Sequence, residues 1–143
     1  MDFRILAVDE LRRYKSLLTA SQTTKLKIIE LEGMLKSSGG GSGGEIAGTG
    51  GGNKTEHKRL SLISSIDDEK GRLKSAARGT KRVELALESL NEEEAQILKA
   101  LYIDGQKIDT FAEKEHMSRA TAYRLREIAV INFTRSLYGA VIT

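Results

Sequence analysis

Nine of the fourteen residues from Gly39 to Gly52 are glycine, and the rest of this 143-residue chain has only five more and no proline. A tract of that composition does not hold a helix and behaves as flexible coil. Its end-to-end distance, near 5–6 Å × √n, comes to about 20 Å, ample for two helices to fold back antiparallel. A native loop and an engineered linker would read alike here. Elsewhere the missing proline permits long helices, and no alternating stretch of strand length is visible. The tract therefore predicts a long N-terminal helix over 1–38, a linker over 39–53, a second long helix over 54–89 and a compact C-terminal domain over 90–143. The fold class is all-α: a long antiparallel, coiled-coil-like hairpin followed by a small helical domain.

The two arms carry matching stripes. Tyr14, Leu17, Ser21, Thr24, Ile28, Leu31 and Leu35 alternate spacings of three and four, a seam of period 3.5. Leu62, Ile66, Glu69, Leu73, Ala76, Thr80, Val83, Leu87 and Leu90 do the same in the second arm. Ile5, Leu6, Leu11 and Leu18 widen the first arm's apolar surface, which predicts more than one partner helix and admits a homodimer through the long helices. Gly71 and Gly79 each cost about 1 kcal/mol relative to Ala inside a helix, and a kink is expected near Gly79.

Beyond Leu90 the punctuation changes. Asn91 is placed to cap a helix, with Glu94 in capping-box position, and Glu92, Glu93 and Glu94 suit the positive end of its dipole. Ile97, Leu98, Leu101 and Tyr102 share one face, and Asp104-Gly105 ends the helix. A short helix follows from Ile108 or Asp109 to Glu115, with Ile108, Phe111 and Ala112 inward. His116-Met117 forms a turn, Met117 plugging the core, and Ser118 caps the last helix. Ala122, Leu125 and Ala129 face the core. Ile128, Ile131, Phe133, Leu137 and Tyr138 carry that helix to a stop at Gly139, their apolar faces available to the second long helix or to a dimer.

That leaves Arg119, Ala120, Tyr123, Arg124 and Glu127 outward. A helix-turn-helix presents this part of its second helix to base edges in double-stranded DNA. Arginine bonds guanine bidentately and an alanine methyl meets thymine. Ser118, Thr121 and the helix N-terminus suit phosphate oxygens. Acids outnumber lysines seven to three from Asn91 to Met117, whereas four arginines face one acid from Ser118 to Arg135. Positive charge thus gathers on the helix proposed to meet phosphates.

Leu90-Asn91-Glu92-Glu93-Glu94, Ile97-Leu98, Tyr102, Asp104-Gly105, Ile108, Ala112 and Ser118-Arg119-Ala120-Thr121 resemble the fourth region of bacterial sigma factors, which binds the promoter −35 element. His116 departs from that pattern, which usually has Gly in the turn. Long helix, glycine-rich loop, long helix and sigma-like domain together resemble small sigma-like regulators of phages and prophages, including activators of late genes. The resemblance implies a cytoplasmic protein of a bacterial host that regulates transcription and touches RNA polymerase.

Other chemistry lacks support. There is no cysteine, hence no disulfide or thiolate site. The two histidines, His57 and His116, stand far apart and begin no zinc motif. Gly48–Thr55 nearly spells a P-loop, but Asn53 stands where glycine is required and no strand precedes it. No catalytic constellation, metal site or cofactor is expected. The charged start, Met1-Asp2-Phe3-Arg4, does not open a signal peptide, and apolar runs are too short to cross a membrane. The expected function is sequence-specific transcriptional regulation. The alternatives are a small terminase subunit, with the same motif on an oligomerising ring, and an adaptor that binds polymerase or sigma factor.

Overall fold

The computed structural model describes residues 2–39 and 51–139, and all the regular structure in them is helical. Residues 40–50, which include Gly48, Thr49 and Gly50 of the P-loop-like stretch, and the last four residues lie outside the described ones. Helix α1 spans Phe3–Gly39 and α2 spans Gly51–Glu88, so α2 starts three residues earlier than expected. α3 spans Glu92–Leu98, α4 Ile108–Lys114 and α5 Arg119–Tyr138. Contacts divide the chain into two compact units, Met1–Leu17 with Arg78–Thr143, and Leu18–Ala77.

In the second unit, Ile28, Leu62, Ile66 and Ala76 are buried, together with Ser21 and Glu69. The buried Glu69 carboxylate is met by Arg72 Nη1 at 2.5 Å and Lys27 Nζ at 4.0 Å. That explains how an acid can stand in an apolar stripe, since burying an unpaired charge is costly. Lys70 pairs with Glu32 at 3.8 Å on the surface.

The first unit holds the larger core. Ala7 and Leu11 from α1 meet Val83, Ala86 and Leu87 from α2, Ile97 and Leu98 from α3, Phe111 from α4, and Ala129 and Phe133 from α5. Within it α1 and α2 run antiparallel, with Leu17 beside Gly79 and Glu10 beside Arg82. No break occurs at Gly79, because α2 continues to Glu88. A Cβ there would come within 2.9 Å of Leu17 Cδ1, so the glycine lets the two helices approach closely at this point.

The two caps form as expected. Asn91 Oδ1 accepts from Glu94 N at 2.9 Å, and Ser118 Oγ accepts from Thr121 N at 3.1 Å. Glu94 does not complete the expected capping box: its side chain is buried and turned toward α5, where its Oε2 accepts from Asn132 Nδ2 at 2.9 Å. Past Leu98 the helix widens to a π turn, Lys99–Ile103, closed by Asp104 N donating to Lys99 O at 2.8 Å. Gly105, at φ 74°, ends it.

The last helix does not leave its far half free. Phe133 is sealed, Leu137 and Tyr138 pack against the core, and the Tyr138 ring lies 5.0 Å from that of Phe3. Tyr138 also donates to the Glu10 carboxylate. The amino end of α1 therefore covers the apolar tail of α5. Gly139, at φ 76°, closes the helix as expected.

Candidate nucleic-acid interface

The turn between α4 and α5 is a Schellman stop built on a histidine. His116 takes φ 55°, its N–H donates to Glu113 O at 3.2 Å, and Met117 N donates to Ala112 O at 2.9 Å. Residues other than glycine enter this region at a cost, histidine less often penalised than most. Met117 then turns inward onto the core, as its place after the stop requires. This geometry fixes the angle at which α5 leaves α4. Ala112, buried at the crossing, is small enough to let the helices close.

Helix α5 is two-faced from its first turn. Ala122 and Ala129 are fully buried and Leu125 packs against the core. Ser118, Arg119, Ala120, Thr121, Tyr123, Arg124 and Glu127 are all exposed. Ser118 also donates its hydroxyl to Thr121 Oγ1 at 2.8 Å, which fixes both hydroxyls at the helix start.

Tyr123 holds the centre of the outward row. The Arg119 guanidinium lies 5.6 Å from its ring centroid and that of Arg126 lies 4.8 Å away. Cation–π contacts of this kind hold a long side chain in place and leave its donors available. Arg119 Nε also meets Asp109 Oδ1 at 3.1 Å. Contact with Tyr123, then the charge of Asp109, raises the Arg119 pKa. Arg124 is exposed and has no acid within salt-bridge distance among the described residues.

The outward row also forms one wall of an open cleft of about 840 Å³. Ala120, Tyr123, Arg124, Arg126 and Glu127 line that wall, and Arg4, Ile5, Val8 and Arg12 of α1 line the opposite one. At its rim Arg4 grips Asp2 through both carboxylate oxygens, at 3.2 Å each. The hydrogen bonds from Arg4 hold the Asp2 carboxyl below its ordinary pKa. Glu127 lies within the field of Arg4 and adds, after Asp2, to the rise of the Arg4 pKa. The α1 wall was not visible in the sequence as part of this site. The only hint was apolar residues on α1, Ile5 and Val8, off the main seam.

The exposed acids Glu92, Glu93, Asp104, Glu113 and Glu115 lie on α3, α4 and their connections. The basic side chains Lys70, Arg72, Lys74, Arg78, Lys81 and Arg82 of α2 are exposed too. Arg82 is tied to Glu10 at 2.9 Å and lies over the Tyr138 ring, so it buttresses the core.

Among the described residues no three metal-binding side chains gather, and no helix is long and apolar enough to cross a membrane. No family model, curated protein or solved structure matches the chain.

Proposed function

We propose that this protein is a sequence-specific DNA-binding regulator of transcription. A sigma region 4-like helix-turn-helix, α4 and α5, reads the major groove, and α1 and α2 form the long hairpin that carries it. The observation that supports this most is the division of α5. Ala122 and Ala129 are sealed, while Arg119, Ala120, Tyr123 and Arg124 all face solvent at the start of the helix. A helix buried on one side and presenting arginines at its amino end has what major-groove reading needs. Ser118 and Thr121, with the free N–H groups of the first turn, provide phosphate contacts that set register.

The likeness to phage and prophage sigma-like regulators adds RNA polymerase as a protein partner. The exposed acids of α3 and α4 favour a protein over DNA on that side, since acids repel phosphate. In a dimer, the two reading helices would favour half-sites about 10 base pairs apart or multiples of that.

Selection of bound fragments from a random duplex pool by the purified protein tests the reading. Enrichment of a shared sequence, bound at least 10³-fold more tightly than random duplex, is the expected result for a specific regulator. Binding without sequence preference, or no binding at low salt, overturns it.

A further inference from the structure

We propose that the amino-terminal turns of α1 belong to the DNA interface, the cleft between α1 and α5 admitting one sugar–phosphate strand that Arg12 grips from the side opposite Arg124 and Arg126. This rests on the reading of α5 as the groove-entering helix and extends it to a residue far outside the helix-turn-helix.

The charges on the two walls carry the inference. Four arginines line the cleft, Arg4, Arg12, Arg124 and Arg126, against Asp2, Asp9 and Glu127. The acids are not spread evenly among them. Asp2 is taken by Arg4, Asp9 faces Arg13 at 4.0 Å, and Glu127 lies in the field of Arg4. Arg12, Arg124 and Arg126 are left without an acid in salt-bridge distance among the described residues. Unneutralised guanidinium groups on facing walls suit a polyanion that passes between them.

Two of these arginines are also held in position. The Arg12 guanidinium lies 5.5 Å from the Tyr102 centroid, and that of Arg126 lies 4.8 Å from the Tyr123 centroid. An arginine stacked on a ring loses less freedom when it binds phosphate. The cleft is continuous with the outward row, since Ala120, Tyr123 and Arg124 line both. An occupant of the cleft therefore meets the base-reading helix. The strand that borders a major groove stands in that position when a helix enters the groove. An acidic protein segment would satisfy the same arginines, and the test separates it.

The full chain is titrated with a duplex carrying its selected site and with random duplex, across a series of salt concentrations. Arg12→Gln is compared with Lys15→Gln, an exposed base on the same helix that does not line the cleft. The expected result is that Arg12→Gln weakens both duplexes by a similar factor of three to ten and lowers the salt slope by about one. Lys15→Gln should leave the slope as it was. Equal behaviour of the two variants, with DNA binding otherwise intact, overturns the α1 contact but leaves the α5 reading standing. Loss of an acidic partner protein by Arg12→Gln, with DNA binding unchanged, also overturns it. Absence of DNA binding by the unaltered chain overturns both. Unchanged circular dichroism and melting of Arg12→Gln guard against a folding artefact.

Discussion

Asn132 of α5 donates Nδ2 to Glu94 Oε2 of α3 across 2.9 Å, and Glu94 as a residue is only 7% exposed. The bond ties the last helix to the first helix of the C-terminal part, and it gives a buried acid a donor. Removing that donor leaves the carboxylate short of a partner in a place water barely reaches. Asn132→Ala should therefore cost about 2 kcal/mol of unfolding free energy in a denaturant titration, since an unsatisfied buried polar group costs roughly 1–3 kcal/mol. Glu94→Gln keeps an oxygen for Asn132 and should cost less. If both variants melt like the unaltered protein, the bond contributes nothing to stability.

Tyr14 donates its hydroxyl to Glu84 Oε2 at 2.6 Å. The hydrogen bond, and after it burial and the carboxylate's charge, push its pKa up to about 12. An unfolded tyrosine titrates near 10, so the fold favours the neutral phenol. The resulting stability is fully present below pH 10 and is lost as pH rises toward 12. An ultraviolet titration should therefore show Tyr14 ionising late among the four tyrosines, with Tyr138 also raised by its burial and by Glu10. Glu84→Gln should bring Tyr14 down. A titration curve unmoved by that substitution would show that Glu84 is not the cause.

The two glycines inside α2 should answer differently to alanine. Nothing lies within 4 Å of a Cβ on Gly71, whereas one on Gly79 meets Leu17 Cδ1 at 2.9 Å. Helix propensity favours alanine by about 1 kcal/mol at either site. Gly71→Ala should gain most of that in thermal melting. Gly79→Ala should gain less, because the Leu17 side chain must first move aside. Equal gains would mean that the helices do not meet closely at Gly79.

Those residues also show what a sequence can and cannot carry. The seams of the two arms were legible because burial imposes a period on each helix. All the residues of both stripes are buried or half-buried in the structure. The caps at Asn91 and Ser118 and the stop at Gly139 were legible because each follows from local backbone chemistry. The π turn at Lys99–Ile103 was not, since one extra residue per turn leaves no mark in a short stripe. The cover of α5 by the start of α1 was not either. Phe3–Tyr138 and Glu10–Tyr138 join residues more than a hundred positions apart, and periodicity says nothing about which faces meet. The outward row of α5 could be read from spacing, but the α1 wall beside it depends on that same distant packing.

Arg119 and Arg124 should separate on DNA, although they stand little more than a turn apart. Arg119 shares its charge with Asp109 at 3.1 Å, both side chains being well exposed, whereas Arg124 has no such partner among the described residues. An acid at that place also repels phosphate. Asp109→Asn should therefore tighten binding to any duplex and steepen its salt dependence, with little change in sequence preference. Arg124→Ala should do something else if it reads a base. It should cost roughly 1–3 kcal/mol on the selected site and relax the preference at one base pair. Fluorescence anisotropy on selected, single-mismatch and random duplexes distinguishes the two. Loss of equal size on selected and random duplex would reduce Arg124 to a phosphate contact. Weaker binding by Asp109→Asn would mean that the ion pair positions Arg119 for the duplex rather than competing with it.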